Sequence, residues 1–169
     1  MLFSQVLEDR HQKRMRGNFY TDMTEADLPA SLAFAEALWP EEDAEGLRQH
    51  FSSILHDDRW RTILCKTDSG EVIAFANLSI HYEYVEGSES SPVGYVEGIY
   101  VKPEYRKQGI AKELVRLGEQ WSLSRGCKEY ASDTELHNKE SQAFHRSIGF
   151  DREETIVHFI KTIPSSGNN

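Results

Sequence analysis

An apolar strand, a basic turn and an amphipathic helix follow one another in the second half of the chain, and this order constrains the fold most. Residues 93–101 read as the strand, with Glu97 as its charged side chain. Residues 106–111 form the turn around Gly109, and the next helix has an apolar stripe that includes Leu114 and Trp121. Such a junction is typical of α/β proteins and places free amides at the helix start, where an anion can bind.

The rest of the chain predicts hairpins first and a strand–helix–strand order later, which is an α/β arrangement. We expect strands over residues 19–23, 60–66, 72–85, 127–131 and 155–162. We expect helices over residues 24–39, 41–55 and 138–148, the last of them capped by Gly149. The 169 residues suit one domain. The expected boundaries are an N-terminal extension over 1–16, one domain over 17–164 and a C-terminal tail over 165–169.

The extension is polar and basic, and its sequence leaves open a short helix or a loose arm. It could serve as a dimer arm or be an upstream start of no consequence.

The bulk composition excludes several function classes. The formal net charge of −9 repels nucleic acid phosphates and anionic membranes, so neither is an expected partner. The acidity suits a cationic partner, although charge alone favours plain solubility. The sequence has no apolar run of membrane-spanning length and no signal peptide, so we expect a cytoplasmic protein. Its two cysteines and seven histidines lack metal-ligand spacing, so no metal is expected.

The turn at residues 106–111 has the chemistry of a phosphate site. Arg106 and Lys107 form a basic pair in an acidic protein, and Gly109 allows a ligand to approach the backbone closely. The alternative is an ordinary strand-to-helix junction, in which glycine and lysine serve only for capping.

Residues 98–111, with the sequence GIYVKPEYRKQGIA, resemble the acetyl-CoA motif of the GNAT superfamily of N-acetyltransferases. The resemblance implies the GNAT acyltransferase fold, a mixed central sheet with splayed middle strands flanked by helices, with acetyl-CoA as co-substrate. It places the pantetheine arm along Ile99, Tyr100 and Val101, with an additional contact from Asn138. It places the pyrophosphate on the backbone amides of Lys107, Gln108, Gly109, Ile110, Ala111 and Lys112.

A narrower resemblance joins residues 129–150 to the segments 38–40, 82–87 and 91–98. Together they are similar to the aminoglycoside 6′-N-acetyltransferases. This similarity implies direct acetyl transfer to the 6′-amine of an aminoglycoside in a ternary complex, antibiotic resistance, and a homodimer. The implied acceptor-binding residues are Trp39, Tyr84, Glu97, Asp133 and Glu154.

Each acceptor residue also has a structural interpretation. Asp133 is a candidate base or ammonium orienter, but the sequence around it also suits a turn or helix cap. Glu97 is costly to bury in an apolar strand without a partner, which favours an edge or a site. Trp39 also suits the core, Tyr84 an ordinary strand and Glu154 a solvated turn.

His145 is a second candidate catalytic residue. It occupies the place where many GNAT enzymes carry a tyrosine that protonates the leaving thiolate, and a histidine can donate near pH 7. A histidine that only packs near the cofactor is the alternative. Rival functions are a polyamine or peptide N-acetyltransferase of the same fold, or a non-enzymatic module that binds acyl-CoA or aminoglycoside.

Overall fold

The computed structural model describes residues 13–15 and 17–163. A six-stranded sheet forms in chain order, with every neighbouring pair antiparallel except the last, which is parallel. Its strands are β1 (Lys13–Met15), β2 (Asn18–Asp22), β3 (Trp60–Thr67), β4 (Val72–His81), β5 (Val93–Val101) and β6 (Glu129–Ser132). The helices are α1 (Leu28–Leu38), α2 (Ala44–Ile54), α3 (Ile110–Ser124) and α4 (Lys139–Ser147).

Two apolar clusters cover the two faces of the sheet. On one face, α1 and α2 pack through residues such as Phe34 and Phe51 against Phe75 of β4, and we call it the α1–α2 face. On the other face, Leu114 of α3 packs against Leu78 of β4, and we call it the α3 face. Burial on both faces explains why β4 reads as a nearly continuous apolar run.

The strand β5 is irregular in two ways. Asn77 of β4 lies opposite Gly98, but the next residue of β4 lies opposite Val96, so Glu97 forms a β-bulge. The pairing of β5 with β6 ends at Val96 and Ser132, while β5 itself continues to Val101. The pairing of β5 with β6 therefore ends at the residue before the bulge, in agreement with the splayed middle strands of the expected GNAT fold.

Most sequence-based elements lie within a few residues of their expected positions. The strand β4 ends at His81 rather than at residue 85, and residues 13–15 form a strand where a helix or loose arm was expected. The rest of the predicted extension, residues 1–12 and 16, lies outside the described residues, as does the tail.

The last predicted strand, residues 155–162, is wrong. In the described structure, residues 151–163 have no helix or strand, and their side chains are exposed. Phe159 and Ile160 are 92% and 95% exposed. Their alternation therefore has neither a neighbouring strand nor an apolar surface to stabilise it. Residues from Thr134 onward form a compact unit separate from the one that ends at Asp133.

Candidate functional site

Glu97 lies on the α1–α2 face, two residues after Tyr95, and because of the bulge Gly98 lies on that face as well. There Glu97 Oε1 accepts hydrogen bonds from Ser79 Oγ and, at 2.9 Å, from His81 Nε2. The Glu97 side chain is 26% exposed, so the carboxylate remains accessible. These donors are the partners that a carboxylate in an apolar strand requires.

Asp133 comes directly after β6 and contacts the same network. The Tyr95 ring stacks on the His81 ring with centroids 4.7 Å apart. Burial raises the pKa of Tyr95 first, and the negative charge of the nearby Asp133 carboxylate raises it further, so the phenol stays protonated. Tyr95 thus lies between two acceptor candidates, with the His81 ring that contacts Glu97 on its face and the Asp133 carboxylate near its hydroxyl. Asp133 does not cap α4, because that position belongs to Asn138.

Two more side chains of the α1–α2 face lie near Glu97. Trp39 ends α1 and is half-buried, with its ring so close to Gly98 that an added Cβ would lie 2.6 Å from Cζ2. It also packs against the apolar cluster, so the core interpretation holds for part of the ring. His50 of α2 is near enough to Glu97 for the carboxylate charge to act on it. Burial lowers the pKa of His50, and the Glu97 charge acts in the opposite direction.

Tyr84 lies on the connection between β4 and β5 rather than in a strand, and it is 73% exposed. This connection is held to the sheet by Glu129, whose Oε2 accepts hydrogen bonds from Ser90 Oγ at 2.5 Å and Glu89 N at 2.9 Å. The connection therefore presents an aromatic ring to solvent on an anchored loop.

The basic turn has backbone conformations suited to binding an anion. Lys107 has φ +59° and Gly109 has φ +83°, so left-handed residues stand just before α3. Turns of this kind make concave rows of amides, and the first amides of a helix have no acceptor within it. A Cβ at Gly109 would meet nothing within 4 Å. The turn therefore leaves open space beside the backbone, where the sequence predicts the pyrophosphate.

The end of β5 next to this turn offers backbone rather than side chains. The Tyr100 ring stacks on Phe34 at 5.0 Å and belongs to the core, while Ile99 and Val101 face α3. Arg106 Nε donates to the Val101 carbonyl at 3.0 Å, which fixes the guanidinium beside the strand end. Only the main chain of residues 99–101 is placed to pair with a ligand.

The remaining predicted residues belong to the second unit, and each is described within it. Asn138 Oδ1 accepts from Ser141 N at 3.0 Å and caps α4. His145 Nδ1 lies 2.7 Å from the Ser141 carbonyl, so Nδ1 carries a proton and Nε2 is the acceptor in the neutral ring. Glu154 is exposed in the segment without regular structure.

Comparison with known proteins decides the family. Residues 23–150 match the model of the acetyltransferase (GNAT) family. The chain belongs to the GNAT family.

The GNAT relatives with similar sequences are aminoglycoside N(6′)-acetyltransferases type 1. One from Acinetobacter genomosp. 13 is 42% identical over 78% of this chain and 90% of its own. One from Acinetobacter baumannii is 40% identical over 83% of this chain and 96% of its own. Among solved structures, the aminoglycoside 6′-N-acetyltransferase AAC(6′)-Ih from Acinetobacter baumannii superposes with a TM-score of 0.82 at 38% identity, over 88% of this chain and 100% of its own. The structure of AAC(6′)-Iy with the bisubstrate analogue CoA-S-monomethyl-acetylneamine has the same TM-score at 33% identity, over 86% and 99%.

The sequence interpretation of this GNAT site missed Ser79, His81, Tyr95 and His50. Ser79 and His81 alternate with apolar residues along β4, which is a period-two signal for a shared face. That signal could have placed them together. It could not have joined them to Glu97, because the register that sets β5 beside β4 has no local sequence signal. In the described part of the chain, no cluster of His, Cys, Asp or Glu is suited to hold a metal ion, and no helix could cross a membrane.

Proposed function

We propose that this GNAT protein transfers the acetyl group of acetyl-CoA directly to the 6′-amine of an aminoglycoside. The observation that carries the proposal is that two carboxylates, Glu97 and Asp133, lie on either side of the Tyr95 and His81 rings where the pairing of β5 with β6 ends. The similarity to aminoglycoside 6′-N-acetyltransferases over four-fifths of the chain supports the same reaction.

The residues of the first unit fit acetyl-CoA. The amides of Lys107, Gln108, Gly109, Ile110, Ala111 and Lys112 would hold the pyrophosphate, because the turn is concave, basic and open beside Gly109. The backbone of Ile99, Tyr100 and Val101, beyond the end of the pairing with β6, would pair with pantetheine, apart from the Val101 carbonyl that Arg106 occupies. Asn138 is a cofactor contact only by the resemblance to the family, and within the second unit its Oδ1 caps α4. When bound, acetyl-CoA supplies an acetyl thioester that a free amine can attack.

The acceptor would be held by charge and by ring faces. Glu97 and Asp133 bind ammonium groups, and Trp39 and Tyr84 cover sugar faces and add cation–π attraction. Glu154 is a further acceptor candidate only by the resemblance to the family, and it is described within the second unit. An aminoglycoside carries several ammonium groups on hydroxyl-rich rings, so this combination of acids and aromatics suits it better than a single charge pair would.

Asp133 orients the reacting amine and accepts its proton. An ordinary carboxylate has a pKa about six units below that of an alkylamine, so proton transfer alone is strongly uphill. Holding the amine in line with the thioester therefore contributes more to the rate than basicity does. A backbone amide near Tyr100 or Val101 would stabilise the developing oxyanion.

His145 would protonate the leaving thiolate only as an imidazolium, since the proton on Nδ1 is engaged by the Ser141 carbonyl. Only the charged ring has a proton on Nε2. The role of His145 stays a proposal, with packing within its unit as the alternative.

We propose further that the protein is a cytoplasmic homodimer that confers antibiotic resistance. The exposed apolar side chains of Phe159, Ile160 and Ile163 favour a dimer, because a second copy would cover them. The net charge of −9 favours cationic ligands over nucleic acid or membrane. Sedimentation equilibrium tests the dimer, and aminoglycoside susceptibility of cells expressing the gene tests resistance.

The function is tested by following thiol release from acetyl-CoA with a panel of amines. We expect release with aminoglycosides that carry a 6′-amine and none with those that carry a 6′-hydroxyl. Release with spermidine or a peptide amine, but not with aminoglycosides, would support the rival acetyltransferases instead. Aminoglycoside binding without thiol release would show a binding module.

A further inference from the structure

His81 stands at the end of β4, and the proposed reaction gives it no role. We infer that His81 is a positioning residue for the acceptor: it holds Glu97 by Oε1 and so turns Oε2 toward the acceptor ammonium. The inference rests on the proposed function, because it assigns Glu97 an ammonium group to bind.

The hydrogen bonds to Glu97 converge on a single oxygen. His81 Nε2 lies 2.9 Å from Oε1, and Ser79 Oγ donates to the same atom. An ionised carboxylate only accepts, so both neighbours must be donors and Nε2 of His81 carries a proton. Among the contacts of the described residues, Oε2 receives no side-chain donor. The hydrogen bonds therefore fix Oε1 of Glu97 and leave Oε2 as the oxygen that can bind a cation.

The His81 ring is itself fixed on its face. It stacks on Tyr95 with centroids 4.7 Å apart and an angle of 29° between the planes. Tyr95 lies opposite Ser79 in the β4–β5 ladder, so the regular strand pairing holds its backbone beside that of β4. A ring held by stacking keeps its Nε2–H pointed at Oε1, which a free surface histidine would not do.

The arrangement predicts which kinetic constant depends on His81. Glu97 binds an ammonium that is present both in the bound complex and in the transition state, and it does not touch the thioester. If the Glu97 carboxylate points elsewhere, the bound complex and the transition state lose the same binding energy. The KM for the acceptor therefore rises and kcat stays nearly unchanged. Binding of acetyl-CoA involves the turn at Gly109 and does not change.

The test compares His81→Ala with His81→Gln in steady-state thiol-release assays on the full-length protein. The alanine variant should raise the aminoglycoside KM at least about 10-fold and up to about 140-fold, the range expected for one hydrogen bond to a charged group. Glutamine keeps an N–H donor of similar reach and should restore KM to within about twofold. His56→Ala is the matched control, because His56 is 80% exposed and its nearest partner, Glu25, is 4.0 Å away.

A second comparison shows whether His81 acts through Glu97. In a Glu97→Ala background, His81→Ala should add no further increase in the acceptor KM. Additive effects of the two substitutions on the acceptor KM would overturn the inference. So would a His81→Ala variant whose acceptor KM lies within twofold of wild type, or a His81→Gln variant whose acceptor KM is as high as that of His81→Ala. An equal rise in the acetyl-CoA KM would overturn it as well. Each of these leaves the proposed function standing. A wild-type protein that releases no thiol with any aminoglycoside overturns both.

Discussion

Replacing Gly98 by alanine should displace the Trp39 ring and thereby test the acceptor site. A Cβ at position 98 would lie 2.6 Å from Cζ2 and 2.7 Å from Cη2 of Trp39, and 3.1 Å from Cδ1 of Leu38. Non-bonded carbon atoms prefer separations of about 3.5–4.0 Å, so the indole must move by about 1 Å. The ring is half-buried at the end of α1, so it can move only by disturbing its packing.

The change in the free energy of unfolding has two opposing contributions. Overpacking of this kind costs about 1–3 kcal/mol, and alanine in a strand recovers roughly 0.5–1 kcal/mol relative to glycine. We therefore expect a net loss of up to about 2.5 kcal/mol, which corresponds to a Tm lower by up to roughly 10 °C for a chain of this size. A shift of about 1 Å in a substrate-facing ring should also lower kcat/KM for the aminoglycoside by about 10–100-fold.

The measurements are a thermal melt and a thiol-release titration of each substrate. Gly46→Ala is the control, because its added Cβ would meet only ordinary contacts, and it should leave the kinetics unchanged. Trp39→Phe removes the colliding atoms, so the double variant with Gly98→Ala should be more stable than additivity predicts. Wild-type stability and an unchanged acceptor kcat/KM in Gly98→Ala would refute the placement of Trp39 over the site.

Further predictions concern the cofactor turn, the proposed base and an ion pair. Gly109→Val should weaken acetyl-CoA binding by at least about tenfold, because the valine side chain would fill the open space beside this left-handed residue. Gly70→Val is the control, since Gly70 has φ +86° in an equally open turn, and it should strain the fold similarly without changing acetyl-CoA affinity. Isothermal titration compares the acetyl-CoA affinities of the two variants. Asp133→Asn should lower kcat about 100-fold and leave the acetyl-CoA Kd intact, and normal turnover would remove its catalytic role. Burial raises the pKa of Asp27, but hydrogen bonds, chiefly from Lys66 at 2.6 Å, bring it below its ordinary value. Asp27→Asn should therefore lower the free energy of unfolding by about 1–3 kcal/mol near pH 7. Because the folded state lowers the pKa of Asp27, the difference between the variant and the wild type should shrink below about pH 4. Urea unfolding at both pH values measures this difference, and a constant difference would contradict the ion pair.

The sequence predicted the regular elements because their signals are local. Alternating and helical patterns, Pro40 and Gly149 are read within a few residues, and the bounds of β5 match the expected strand. The strand at residues 155–162 failed for the opposite reason. A strand needs hydrogen-bonding partners as well as alternation, and a pattern inside one segment carries no information about which neighbour it has.

The sequence predicted the residues of the site one by one but not the contacts between them, and strand β5 shows why. Glu97 stood out because a charge in an apolar strand is costly. The register that places Glu97 beside His81, and the end of the β5–β6 pairing at Val96, come from inter-strand pairing that no local pattern encodes. The two features act on adjacent residues of β5. The bulge leaves both Glu97 and Gly98 on the α1–α2 face, and beyond Val96 no residue of β6 pairs with the strand. In the proposed function, the first feature serves the acceptor and the second leaves backbone for the thioester donor, so the two substrates would meet at the same few residues of β5.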